Sequence, residues 1–408
     1  MSDLKEMYFR DFIKLNRGFD LPEEKIVPGE YPIAASTSIK AYHHQYKVKR
    51  PCVTTGRSGS LGTVLYIDKE CYPLNTSLYV KDFKGNNPRY VFYFLQMMKL
   101  QNFNSGAGVP SLNQNHLHAL KLKVHKKEEQ PFIASILSTY DDLIENTNKR
   151  IALLEQMAEQ IYKEWFVRMR FPGYENAEFE KGVPKGWEIV PIGKLFSFYI
   201  GGGWGADNQS AEFSEAAYVI RGTDIPDVSK GIPNKEVLRY HKPSNLNSRK
   251  LKPFDIVFEV SGGSKDQLLG RNFMITKELL DSYGGTVMCA SFCKLIRPDI
   301  KNVSPYFIDQ FLKLYYSTGL VSTFQVQSTG ISNYQFESFA KYQIITKPKN
   351  DLMEKFSEIM SPIYSEINLL GRQLVILKQT RNLLLPRLTS GKLRVKEIKE
   401  EQLSKVEI

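Results

Sequence analysis

Cysteine is scarce in this chain of 408 residues, with four at Cys52, Cys71, Cys289 and Cys293. The only close pair is spaced i, i+4 and has no second pair to complete a ligand set, which argues against the common zinc arrangements. Free buried thiols in a reducing compartment are expected. Histidine is also rare, at six residues. His43 and His44 are adjacent and His116 and His118 are spaced i, i+2, but no third ligand accompanies either pair. No metal site is expected. Long apolar runs are missing as well, because Lys or Gln breaks every candidate before it could span a bilayer. The N-terminal "MSDLKEMYFRDF" has early acids and lacks the uninterrupted apolar core of a signal peptide. A cytoplasmic protein that does not enter the membrane is expected.

Catalytic signatures are thin too. An amino-methyltransferase needs a polar-Pro-Pro-aromatic motif and a Gly-rich cofactor loop after its first strand. The nearest match, Asn87-Pro88-Arg89-Tyr90, lacks the second proline. "FYIGGGWGADN", with Gly201, Gly202, Gly203 and Gly205, has no βαβ context and reads as a turn at a domain entrance, parallel to "IKLNRGFDLP" earlier in the chain. A nuclease would need clustered acids near a Lys; Asp255 and Glu259 in "FDIVFEVSGGSK" are followed by no E-x-K. No catalytic residue is assigned.

Charge, in contrast, is abundant and uneven. The net balance is +11, which suggests a polyanionic partner. Residues 1–127 hold 19 Lys+Arg against 10 Asp+Glu, residues 128–170 hold 5 against 8, and residues 171–348 hold 20 against 18. The positive excess therefore sits mainly on the first globular segment.

The chain also repeats itself. Shifted by 223 residues, Ile144 meets Ile367, Ile151 meets Leu374, Leu154 meets Leu377 and Ile161 meets Leu384. Around them an unbroken 4-3 spacing runs from Ile133 through Leu137, Tyr140, Ile144, Thr147, Ile151, Leu154, Ala158 and Ile161 to Trp165. A second runs from Met353 through Phe356, Met360, Ile363, Ile367, Leu370, Leu374, Leu377, Arg381 and Leu384 to Leu388. Such heptads predict two long helices that pair as an antiparallel coiled coil, with Thr147 and Arg381 as polar seam residues that fix register. Pro362 is expected to kink or divide the second helix, and Pro386 with the "TSGKL" after it to end it. The globular segments repeat more faintly. "VKRPCVTTGRSGSLGTVLYI" resembles "LKPFDIVFEVSGGSKDQLLGRNFMI", and "SGAGVPSLNQNHLHALKLKV" resembles "QSTGISNYQFESFAKYQII". Each segment reads as α+β.

The whole layout resembles the specificity subunits of type I restriction–modification systems. The resemblance is carried by "LIENTNKRIALLEQMAEQIYKEWF…FPG", "PKGWEIVPIGKL", "LLLPRLTSGKL" and the "EEQ" at 128–130; the second half departs there with "KPKNDL". It implies a target-recognition domain at 1–127, a central helical spacer at 128–170, a second recognition domain at 171–348, a C-terminal helical spacer at 349–391 and a charged tail at 392–408. It also implies a non-catalytic reader of double-stranded DNA. Each domain would take one half of a bipartite site, and the helical pair would set the spacing. Two modification (methyltransferase) subunits would dock on the helices, with restriction subunits joining where present. S-adenosylmethionine, ATP and Mg²⁺ would belong to those partners, with no cofactor in this chain. A catalytic methyltransferase or nuclease with an unusual site, and a coiled-coil adaptor without DNA binding, are the alternatives.

DNA reading needs Lys and Arg for phosphates and Arg, Lys, Asn or Gln for base edges. In the first half Lys40, His43, His44, Lys47, Lys49 and Arg50 in "STSIKAYHHQYKVKR", with Arg57 and Asn104, are the candidates. In the second they are Arg221, Arg249, Lys250, Lys252, Lys265, Arg271, Gln325, Gln327 and Asn333, with Gln335 beside them.

Overall fold

The computed structural model describes residues 4–106, 108–262, 267–328 and 331–393. It divides into two compact units, 1–144 with 377–408, and 145–376. Both boundaries fall inside the long helices, so each unit takes a share of both.

In the first unit Lys5–Tyr8 pairs antiparallel with Lys121–Val124. A four-stranded sheet follows the order Lys14–Arg17, Ser77–Asp82, Cys52–Gly56, Val64–Ile67. A three-stranded sheet is centred on Tyr31–Ala34, antiparallel to Ile39–His43 and parallel to Tyr72–Pro73. The second unit repeats every pairing. Glu188–Pro191 is antiparallel to Ile344–Lys347. The four-stranded sheet runs Phe196–Gly201, Cys293–Pro298, Ile256–Glu259, Asn272–Met274. Glu215–Ile220 is antiparallel to Leu238–His241 and parallel to Val287–Cys289. A helix opened by proline, Pro88–Met97 or Pro305–Ser317, and a short helix, Gln114–His118 or Phe336–Tyr342, precede the closing strand in both. The second unit adds a sheet of Ser261–Gly262, Ile331–Tyr334 and Gln325–Ser328. The architecture is mixed α+β.

The glycine cluster has a packing role. A Cβ on Gly18 would lie 2.2 Å from the Leu74 carbonyl oxygen, and one on Gly202 would lie 2.2 Å from that of Ala290. Both glycines leave the outer strand of the four-stranded sheet where another backbone stretch crosses close by, a place only hydrogen fits.

Cores differ in composition. In the first unit Phe9, Phe12, Tyr90, Tyr93 and Phe94 pack with Ile133 and Leu137 of the central helix (Gln130–Tyr162) and with Leu388 of the C-terminal helix (Asn350–Thr389). Gln130, fully buried, fixes the central helix at its start. Its amide donates to Asn86 Oδ1 at 2.8 Å and the His125 carbonyl at 3.0 Å, and its oxygen accepts from Asn87 N–H at 2.9 Å. In the second unit Tyr162, Trp165, Phe166, Phe307 and Phe356 form an aromatic cluster where the central helix ends in a π-type turn, Lys163–Val167.

Of the seam positions, Thr147, Ile151, Ile367, Leu370, Leu374 and Leu377 are buried, and Ile144, Leu154, Ile161 and Leu384 are half-buried. Arg381 gives its charge to Asp141 at 3.1 Å within the first unit, and Arg150 bonds Glu366 at 2.7 Å within the second. The expected proline break is absent. The C-terminal helix runs unbroken through Pro362 and Pro386 to Thr389. Both prolines are exposed, so the carbonyl that each deprives of a partner faces water and is not left unpaired in the core.

Candidate nucleic-acid interface

Six of the eight candidates of the first half lie on the edge strand Ile39–His43 and the turn after it. His44, Lys47, Lys49 and Arg50 are exposed beside Tyr42 and Tyr46, whose ring lies 5.0 Å from Tyr31. Lys40 is exposed but paired with Glu23. Arg57 is half-buried and donates to the Asn75 carbonyl at 3.1 Å. Two candidates also have roles within the fold. His43 is buried, and its Nδ1 accepts from the Val27 N–H at 3.1 Å, so it holds a loop and does not face outward. Asn104 spends its side-chain oxygen on the backbone N–H of Gly106 (2.9 Å) and Ser111 (2.8 Å), closing its own loop.

In the second half the arginines are consumed from within. Arg221 donates to both oxygens of Asp224 at 2.9 and 2.8 Å, and Arg271 Nε donates to Glu259 at 2.8 Å. Asp224 and Glu259 are buried, so removing either arginine to contact DNA would strand a carboxylate. Arg221 and Arg271 are therefore internal partners of buried carboxylates. Burial alone would raise the Asp224 carboxyl, but bonds from the Arg221 side chain and backbone and from Asn234 hold it below its ordinary value. Arg249 donates to the Gly201 carbonyl at 3.0 Å and Ser248 at 2.9 Å. Gln325 accepts from Leu269 N–H at 3.1 Å. Lys250, Lys252, Gln327, Asn333 and Gln335 are exposed, and Asn333 also accepts from Ser261 at 3.0 Å. Lys265 lies outside the described residues.

Sequence reasoning passed over Arg239 and Lys242, on and just after the edge strand Leu238–His241. That strand occupies in the second unit the place that Ile39–His43 has in the first. A signal was present: Tyr42-His43 and Tyr240-His241 occupy matching registers, and both histidines are buried. A groove of about 870 Å³ lined by Lys5, Lys84, Lys121 and Lys127 together with Glu6 and Asp11 also went unread.

The nearest methyltransferase-like motif is a helix cap. Asn87 Oδ1 accepts from Tyr90 N–H at 3.0 Å at the start of Pro88–Met97. Asp255 is bonded twice to Arg297 at 2.7 Å and Glu259 to Arg271, so neither carboxylate stands free. Among the described residues no group of three or more His, Cys, Asp or Glu is placed to hold a metal, and the four cysteines are buried and free. Among the described residues no helix is long and apolar enough to cross a membrane.

Known proteins share this layout. Residues 1–156 match the family "Type I restriction modification DNA specificity domain". The chain is 25% identical over 324 residues to the type I restriction enzyme MjaIX specificity subunit of Methanocaldococcus jannaschii, covering 76% of this chain and 70% of that one. It is 33% identical over 125 residues to a putative type I restriction enzyme MjaX specificity subunit of the same organism, 28% of this chain and 29% of that one. The crystal structure of a type I restriction–modification S subunit from M. genitalium has the same fold, with a TM-score of 0.62 at 14% identity over 95% of this chain and 96% of that chain. The chain is thus similar to type I restriction–modification specificity subunits over about three quarters of its length, and its first 156 residues match their DNA specificity domain.

Proposed function

We propose that this protein is the DNA sequence-specificity subunit of a type I restriction–modification complex and has no catalytic activity of its own. The observation that carries the reading is the repeated architecture: the same six strand pairings occur twice, each set leading into a long helix. Two similar but non-identical readers suit a bipartite, asymmetric DNA site. The exposed bases Lys47, Lys49 and Arg50 in one half and Lys250 and Lys252 in the other supply phosphate contacts. Exposed Gln327 and Asn333 offer amides to base edges. The two helices, paired antiparallel along the buried 4-3 stripes, set the distance between half-sites. They also carry two modification subunits, which bring S-adenosylmethionine; ATP and Mg²⁺ belong to restriction subunits where these join.

The test is to map methylated bases genome-wide in cells carrying the modification subunits with and without this gene. The reading expects one bipartite motif that appears only with the gene. Methylation that is independent of the gene, or methyl transfer by the purified chain alone, would refute it.

A further inference from the structure

In both halves one loop lies against the same strand edge. It joins the first strand of the four-stranded sheet to the central strand of the three-stranded sheet, spanning 18–30 in the first half and 202–214 in the second. Each loop is anchored to the outer strand of the three-stranded sheet by backbone bonds. His44 N–H donates to the Val27 carbonyl at 3.1 Å, and Ala206 and Tyr240 exchange bonds of 2.8 and 3.0 Å. Each loop also lays carboxylates on that strand's bases. Glu23 pairs with Lys40, Asp207 with Arg239, and Glu212 with Lys242.

The acids are the exposed partners. Asp207 is 81% exposed and Glu212 63%, whereas Arg239 is only 18% exposed. Ion pairs this wet contribute little to holding a fold. The bases, in contrast, are held in place by aromatic rings. The Arg239 guanidinium lies 4.5 Å from the ring centre of Trp204, and Lys242 Nζ lies 5.4 Å from that of Phe213. A fixed guanidinium with a loosely held carboxylate on it is a site for an oxyanion. A phosphate offers the same acceptor oxygens and the same fork geometry.

We propose that Arg239 and Lys242 form a DNA-phosphate site in the second half, occupied in the free protein by Asp207 and Glu212 as phosphate stand-ins. The DNA backbone displaces the two acids when it docks. Lys40 and Glu23 are the single-pair version in the first half. The inference rests on the DNA-recognition reading. It gives the acids a purpose: they damp the non-specific phosphate attraction that would otherwise hold the protein on any duplex.

The experiment uses the full chain and a random-sequence DNA duplex, because phosphate contacts ignore sequence. Affinity is measured at about 50 and 200 mM salt. Asp207→Asn with Glu212→Gln should tighten binding at low salt. It should also raise the ratio of the two affinities by about 3.5-fold for each base freed, or roughly 12-fold for both, at a salt slope of about 0.9 per phosphate. Adding Arg239→Gln and Lys242→Gln to that variant should abolish the gain. Glu354→Gln with Glu358→Gln, two exposed acids of the C-terminal helix, makes the same change in net charge and should give a smaller gain. Binding unchanged by the loop variant, a gain matched by the helix variant, or a gain that survives loss of Arg239 and Lys242 would overturn the proposal while leaving DNA recognition standing. A wild-type chain that fails to bind duplex DNA at low salt, alone and with its modification partners, would overturn both.

Discussion

The strand-rich regions 1–127 and 171–348 carry nearly the same number of bases, 19 and 20, yet their net charges are +9 and +2. The difference lies in the acids, 10 against 18, and in where they are. Asp224, Asp255, Glu259 and Asp309 of the second region are buried, and each is bonded to an Arg or Lys: Arg221, Arg297, Arg271 and Lys313. Among the described residues the first region buries no carboxylate; its interior polar groups are neutral ones such as Thr54, Thr55, Ser77 and Asn86. One topology is thus built with two interiors. The first pairs bases such as Arg17, Lys40 and Lys84 with exposed acids, and the second uses several of its own to neutralise buried ones. A basic residue is informative about binding only once its internal acids are known.

The comparison breaks first at Asp309. It is fully buried and accepts from Lys313 Nζ at 2.8 Å, the Tyr364 hydroxyl at 2.5 Å and Asn272 Nδ2 at 2.9 Å. Asp309→Ala removes the buried carboxylate that pairs with Lys313 and should destabilise the chain by about 3–5 kcal/mol in a denaturant titration. Glu23→Ala, at the exposed pair with Lys40 in the first region, should leave the denaturation midpoint essentially unchanged. Equal losses would mean that the two interiors do not differ as described.

Exposed bases should act on DNA instead. Replacing Lys47, Lys49 and Arg50 together with Gln should lower the salt slope of duplex binding by up to about 2.7 and leave the melting temperature unchanged. Replacing Arg221 and Arg271 should do the reverse, lowering the melting temperature with little change in salt slope beyond that of unfolding.

Acid should reveal the smallest effect. The Asp224 carboxyl lies below its ordinary value of 3.8 when folded. Its stabilisation is therefore present above that pH and is lost as pH falls through the depressed folded value. Asp224→Asn should cost about 1.5–3 kcal/mol at neutral pH, the range of hydrogen bonds to charged groups. The gap to wild type should close as the medium is acidified below the ordinary value. A gap independent of pH would mean that shape, and not charge, is what Asp224 supplies.

Much of this was legible in sequence where periodicity is local. The 4-3 stripes located both helices, and the quoted strand–turn–strand similarity located corresponding strands, Cys52–Gly56 with Val64–Ile67 and Ile256–Glu259 with Asn272–Met274. Pairing was not legible, because parallel partners such as Tyr31–Ala34 and Tyr72–Pro73 are set by tertiary packing and not by spacing. Pro362 misled because its cost depends on exposure, which sequence does not state. Base availability misled for the same reason. Arg221 and Asp224 lie three residues apart and could have been paired by eye, but Arg271 finds Glu259 across 12 residues and Arg297 finds Asp255 across 42. The Tyr-His repeat on the edge strands was visible and would have exposed Arg239 had it been used to align the halves.

The central claim is that two half-site readers are spaced by a helical pair, and spacing is what a ruler must control. Seven residues inserted in each long helix, keeping Ile151, Leu154, Leu374 and Leu377 in phase, add about 10.5 Å at 1.5 Å per residue. That equals about three base pairs of duplex at 3.4 Å per step. Methylated sites would then be mapped in cells carrying the altered chain with its modification subunits. The account predicts unchanged half-sites separated by a spacer about three base pairs longer; altered half-sites at the original spacing would contradict it.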